Sequence, residues 1–183
     1  RGVARTFQNL QVFGSMSVLD NVLTGAHRQG HRGLLSAMFR LPGQHAEERS
    51  LRHQAHTALE FVGLADYQDE PAANLPPGQQ RLLEIARALA LKPRLLLLDE
   101  PAAGLTTRET ETLGDLIERI SGTGLTTFLI EHDMSLVMNV CQRVAVLEQG
   151  RLLAVDTPKG IQANAAVIAA YLGEEEPEVG QDD

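Results

Sequence analysis

The stretch Leu95-Leu96-Leu97-Leu98-Asp99-Glu100-Pro101 decides the fold. It follows Lys92-Pro93, and a short unbroken apolar run closed by turn residues reads as a buried strand of a parallel sheet. Working outward, Thr126-Thr127-Phe128-Leu129-Ile130 is a second such strand, ending in Glu131-His132-Asp133. Val144 to Leu147 is a third, turning at Gln149-Gly150 into Arg151-Leu152-Leu153-Ala154-Val155. Helical segments lie between them, from Thr107 to Ile120 (ended by Ser121-Gly122) and from Met134 to Val140. Strand and helix alternating at this spacing define an α/β domain with a parallel sheet.

The first half of the chain reads differently. Ser17-Val18-Leu19-Asp20 fits a capping box that opens a short helix running to about Thr24. Glu47 to Val62 carries Leu51, Ala55, Ala58, Leu59 and Val62 at helical spacing, and Gly63 stops it. Gln79 to Leu91 repeats that pattern with Leu82, Leu83, Ile85, Ala86 and Leu89. A mostly helical lobe is therefore expected over about residues 10–75, and a sheet core over about 76–172 that includes the Gln79–Leu91 helix.

Composition narrows the class. With 183 residues, 43% apolar and 22% charged, the chain suits one soluble globular domain. The longest clean apolar run, Ala165 to Leu172, is far below the roughly 18 residues of a membrane-spanning helix. The single Cys141 excludes a disulfide framework and a cysteine zinc site, and implies a reducing compartment. The net charge of −8 is uneven: Glu174, Glu175, Glu176, Glu178, Asp182 and Asp183 form an acidic tail over 173–183. The rest is nearly neutral, so the basic footprint of a nucleic-acid binder is missing.

Candidate chemistry gathers at a few points. Carboxylates at the carboxyl end of a parallel strand sit where open α/β sheets bind ligands. Asp99 can hold Mg²⁺ through oxygen, and Glu100 can polarise a water for attack on a phosphoryl group; taken alone, the alternative is a solvated Asp-Glu-Pro turn. Leu75-Pro76-Pro77-Gly78-Gln79-Gln80-Arg81 opens a helix whose free N–H groups attract an anion, though the same residues also serve as a plain helix start. His132 follows a strand directly, where an imidazole can meet a phosphate or simply stabilise the turn. Gln8, within Thr6-Phe7-Gln8-Asn9, is unremarkable in isolation.

In this order and spacing, these residues resemble the ATP-binding subunits of ABC transporters. Gln8 matches the Q-loop, Leu75 to Gln79 the signature, Leu95 to Asp99 the Walker B strand and Glu100 the catalytic glutamate. Ala103-Gly104-Leu105-Thr106 matches the D-loop and His132 the switch histidine. The likeness runs from Arg1 to about Gly173. It is closest to the branched-chain amino-acid importers, through Ala4 to Asn9, Gly78 to Arg87, Asp99 to Leu105, Glu131 to Met134 and Ala170 to Gly173. The resemblance implies a P-loop NTPase-like ABC ATPase domain that binds ATP with Mg²⁺. Asp99 and Gln8 would stand at the metal; Glu100, His132 and Gln8 would be catalytic; and Gly78, Gln79 and Thr106 would face nucleotide across a dimer of ATP-binding subunits. The partners implied are a second ATP-binding subunit, integral membrane permease subunits and, indirectly, a solute-binding protein, at the cytoplasmic face of the plasma membrane.

The sequence departs from the family in three places. No G-x-x-x-x-G-K-[ST] loop is present, since Lys92 and Lys159, the two lysines, each abut a proline with no glycine before them. The chain begins Arg1-Gly2 without a signal-peptide pattern, so the phosphate loop and first strands are expected to belong to a missing amino-terminal part. Pro76 replaces the usual signature serine, and Thr106 stands where the D-loop usually has Asp or Asn. A non-transport ATPase of the same superfamily, acting on DNA or ribosomes, and a non-catalytic module are the alternative readings. The pairs His27/His31 and His53/His56 lack a third ligand set and are set aside as a zinc site. Arg28, Arg32 and Arg40 among Leu34, Leu35, Met38 and Phe39 form either an amphipathic docking stretch or an insertion. Without the loop's backbone N–H groups and lysine, the 183 residues alone are expected to bind MgATP more weakly than about millimolar. Titration with a fluorescent ATP analogue checks this, and saturable micromolar binding would contradict it.

Overall fold

The computed structural model describes residues 2–6, 11–26 and 44–171. Gln8, His27, His31, the stretch 28–40 and the acidic tail lie outside the described residues. The chain forms two compact units, residues 1–132 and 133–183.

The first unit contains, in order, β1 (Val3–Arg5), α1 (Val18–Ala26), α2 (Gln44–Val62), α3 (Pro77–Ala90), β2 (Leu95–Asp99), α4 (Thr107–Gly122) and β3 (Thr126–Ile130). Short 3₁₀ turns at Ala65–Tyr67 and Ala72–Asn74 lead into α3. Local chemistry sets the boundaries. Ser17 Oγ accepts from the Asp20 amide at 3.0 Å and caps α1. Gly63 adopts φ 78°, the left-handed conformation that ends α2. Pro77 takes the first turn of α3, where its missing N–H costs nothing.

Helices α1, α2 and α3 pack together on Val18, Val22, Leu59, Leu83, Ile85 and Ala86, all at most 1% exposed. Lobe and core therefore meet along α3 within the first unit. The approach of α1 to α3 depends on Gly25, where a Cβ would collide with the Arg87 carbonyl oxygen. A charged pair lies in the same region: Arg81 Nη1 and Glu84 Oε2 are 2.9 Å apart, with side chains 4% and 1% exposed.

The sheet of this unit is parallel in the order β1-β2-β3, with Ala4, Leu96 and Thr127 in one row and Asp99 beside Ile130. Val3-Ala4-Arg5, too short to show any alternation, is a strand the sequence did not reveal; tertiary pairing with β2 makes it one. The four leucines of β2 do not lie in a sheet covered on both sides. Leu96 and Leu98 are fully buried, while Leu95 and Leu97 share a more open face with the exposed Val3, Phe128 and Ile130. Helix α4 packs against β3, burying Leu113, Leu116, Ile117 and Ile120.

The second unit holds α5 (Met134–Val140), β4 (Val144–Glu148), β5 (Arg151–Asp156), α6 (Pro158–Gln162) and α7 (Ala165–Tyr171). Here the expectation of a third parallel strand is corrected: β4 pairs antiparallel with β5 in a separate two-stranded sheet. The reason is the loop, because Gln149 and Gly150 both take positive φ (47° and 78°), the requirement of a two-residue hairpin turn that matches strand twist. Asp133 and Thr157 cap α5 and α6, accepting from the amides of Leu136 at 3.1 Å and Gly160 at 3.2 Å.

Two glycine substitutions are expected to move stability in opposite directions. Gly25→Ala overpacks the α1–α3 contact and should cost about 1–3 kcal/mol. Gly122→Ala, at a position with nothing nearby and an ordinary backbone, should stabilise by about 0.4–1 kcal/mol. Denaturant midpoints of the two variants check both signs.

Candidate functional site

Pairing of β2 with β3 brings Asp99, Glu100 and His132 to the same sheet end. Asp99 closes β2, and its Oδ2 accepts from Arg5 Nη2 at 2.7 Å across the neighbouring strand. Glu100 turns the chain out of the sheet at φ 44°, a conformation that strains a residue with a Cβ. It is held there by its amide, which donates to the Ile130 carbonyl at 2.9 Å, and by its carbonyl, which accepts from Ala103 at 3.2 Å. Such strain concentrates at functional positions.

His132 is 78% exposed on its side chain, whereas the Glu131 side chain beside it is 1% exposed. Glu131 Oε1 accepts from the Ala102 amide at 2.8 Å, and Oε2 accepts from the His132 amide at 3.1 Å. This carboxylate therefore ties the end of β3 to the loop after Glu100 and fixes the backbone that presents His132. The sequence offered no sign of it: an acid in a turn reads as solvated until tertiary packing buries it.

A second cluster lies at the start of α4. Thr106 caps the helix with a reciprocal box: its amide and hydroxyl donate to Glu109 Oε2 at 2.9 and 2.7 Å, while its hydroxyl accepts from the Glu109 amide at 3.4 Å. These bonds, the backbone one first, hold the Glu109 carboxyl below its ordinary value. The other oxygen of Glu109 faces Gly78, where an added Cβ would collide with it. Glu109 therefore links two residues singled out from sequence, Gly78 and Thr106. Glu109 was missed from sequence: the Thr-x-x-Glu spacing from Thr106 is the signal for its cap, and the contact with Gly78 leaves none. Gln79 follows Gly78, and its buried Oε1 has no hydrogen-bond partner among the described residues. Gln8, expected with Asp99, lies outside the described residues.

Among the described residues no cluster of three or more His, Cys, Asp or Glu side chains could cage a metal. A single partly exposed carboxylate at a sheet end suits a hard cation that takes most of its ligands from phosphate and water. Cys141 is half-buried, and burial raises its thiol pKa, the opposite of an activated nucleophile.

An acid pair and a histidine meet at adjoining strand ends of this α/β unit, and sequence comparison names the family. The sequence model described as ABC transporter matches residues 1–103, and the chain belongs to that family. A second model, branched-chain amino acid ATP-binding cassette transporter, matches residues 151–177. The high-affinity branched-chain amino acid transport ATP-binding protein BraF of Pseudomonas aeruginosa is 44% identical over 175 residues, 95% of this chain and 69% of the relative. LivG of Escherichia coli is likewise 44% identical, over 94% of this chain and 68% of its own length. Among solved structures, the ADP conformation of an ATP-binding cassette of an ABC transporter superposes with a TM-score of 0.76 at 30% identity, covering 94% of this chain and 69% of that one.

Thr106→Ala deletes the side-chain bonds to Glu109 and should raise its carboxyl pKa toward the ordinary 4.5. A folded pKa below the unfolded one gives stability that is present above the ordinary value and fades as pH falls through the depressed one. The variant should therefore lose less stability on acidification in that window. Carbon-detected NMR titration of Glu109, alongside melting at each pH, checks the direction.

Proposed function

We propose that this chain belongs to the ATP-binding, ATP-hydrolysing subunit of an importer for branched-chain amino acids, working at the cytoplasmic face of the membrane, and that the 183 residues by themselves are inactive. The observation that carries this reading is the 44% identity to BraF over 95% of the chain, with Asp99, Glu100 and His132 gathered at one sheet end. Among the described residues no helix is long and apolar enough to cross a membrane. In this reading, integral membrane permease subunits carry the solute.

Each residue then has a role. Asp99 and Gln8 would hold Mg²⁺, which supplies positive charge to the phosphates when bound. Before that, the Asp99 carboxylate is neutralised by Arg5, so the side chain is kept at the sheet end by an ion pair. Glu100 orients the attacking water and takes up its proton, with the strained turn fixing its backbone. His132 reaches the terminal phosphate from a backbone held by Glu131. The first turn of α3, with Gly78 and Gln79, offers amide N–H groups to nucleotide held by a second ATP-binding subunit, and Thr106 lies at that junction. The permease meets the region of Phe13 and α1; Phe13 is 51% exposed although it is large and apolar.

In the assembled transporter, with the amino-terminal part that carries the phosphate loop restored, Glu100→Gln should bind ATP yet turn over at least about 100-fold more slowly, and His132→Ala should show a comparable loss. Near-normal turnover with Glu100→Gln removes that residue from water activation. Phe13→Glu should abolish association with the permease in a pull-down, and undiminished capture would move the docking surface elsewhere.

A further inference from the structure

Resting on the reading that Phe13 meets the permease, we infer that Glu84 and Arg87 are positioning residues. They clamp the Phe13 loop to the helix that carries Gly78 and Gln79, so a contact made at Phe13 is delivered to the nucleotide-facing turn. The observations are independent of the sheet end. Glu84 lies in the interior of the helical cluster, and its Oε2 accepts from Arg81 Nη1 at 2.9 Å. Its other oxygen accepts from the Gln11 backbone amide at 2.6 Å, 73 residues away in sequence. Arg87, one turn further along α3, donates to the Gln11 carbonyl oxygen and stands 3.7 Å from Glu84 Oε1. Both backbone polar groups of Gln11 are thus held by side chains of α3.

Arg87 also lies over the Phe13 ring, 5.7 Å from its centroid. From the other side, buried Asn21 of α1 accepts from the Phe13 amide at 2.8 Å and donates to its carbonyl at 3.0 Å. The loop is short and is pinned on both sides by charged or amide groups, while the Phe13 ring stays exposed. A ring exposed by half on a segment whose backbone is clamped to a helix moves with that helix. Gly78, Arg81, Glu84 and Arg87 occupy successive turns of α3, so the clamp and the nucleotide-facing turn belong to one rigid element. Burial lowers the Arg87 pKa and Glu84 opposes this, as befits a guanidinium drawn in for its contacts.

Arg87 is the test position because it sits at the rim of the network and leaves the buried Arg81–Glu84 pair intact. In the assembled transporter, Arg87→Ala should cut the ratio of permease-stimulated to basal turnover about tenfold, the scale of an ordinary coupling between sites. Melting temperature, nucleotide affinity and basal turnover of the isolated subunit, with the amino-terminal part that carries the phosphate loop restored, should stay near wild type. Arg87→Lys should recover part of the ratio, because it keeps the charge beside Glu84 but lacks the planar stack. The double variant with Phe13→Ala should be no worse than Phe13→Ala alone, as expected for two residues acting through one link. A ratio unchanged by Arg87→Ala but lost with Phe13→Ala overturns the clamp and leaves the docking reading standing. A ratio unchanged by both overturns the docking reading and the clamp with it. Losses that multiply in the double variant, or that parallel a fall in the isolated subunit's nucleotide affinity, also overturn the clamp.

Discussion

Glu84 is a carboxylate inside a cluster of helices, and much of the first unit is arranged to make that tolerable. A buried charge without partners is expelled or neutralised, and removing one partner of a buried pair costs about 3–5 kcal/mol. Arg81 answers it from the same helix at a spacing of three, which places both side chains on one face. The Gln11 amide answers it from the loop leading to α1, and Arg87 stands behind both. That requirement draws the loop onto α3 and goes together with the close approach of α1 at Gly25. Asn21 then completes the hydrogen bonding of the same loop from within α1. Packing by Val18, Val22, Leu59 and Ile85 supplies the apolar burial, but the polar network sets where the loop must run.

The sheet end depends on a different constraint. Parallel pairing of β2 with β3 sets Asp99 beside Ile130, so the next residues of both strands leave the sheet together. Glu100 accepts an unfavourable φ in order to donate its amide back to Ile130, and Glu131 closes the other side by reaching Ala102. Glu100 is thereby placed by backbone hydrogen bonds, Asp99 by its ion pair with Arg5, and the backbone of His132 by the Glu131 carboxylate. Beyond this corner, Thr106 and Glu109 stop the loop and start α4 in one step, with the remaining Glu109 oxygen turned toward Gly78.

Many of these elements are legible in the order of residues alone. The strand at Leu95–Asp99, the strand at Thr126–Ile130 and the helix at Met134–Val140 follow from short apolar runs bounded by turn residues. The motif order around Asp99, Glu100 and His132 points to the family to which the chain belongs. Apolar period, caps and glycine stops act within a few residues of one another, so they leave a local record. That is why α2 ends at Val62 before Gly63 as the pattern requires.

Tertiary structure alone decided what depends on residues far apart in the chain. Val3–Arg5 becomes a strand only because β2 offers it a partner, and Val144–Glu148 leaves the parallel set because a two-residue turn folds it onto β5. Leucines that look alike along β2 divide into buried and half-buried because helical packing closes one face more fully than the other. Glu84 and Glu131 look like ordinary surface acids in the sequence. Their burial, and the approach of Glu84, Glu109 and Glu131 to Gln11, Gly78 and Ala102, are set by segments separated by up to 73 residues. Sequence determined the elements and the chemistry available to them, because those follow from residue type and near-neighbour spacing. Structure decided which charges face one another, because electrostatic and packing energies depend on distances that no local pattern encodes.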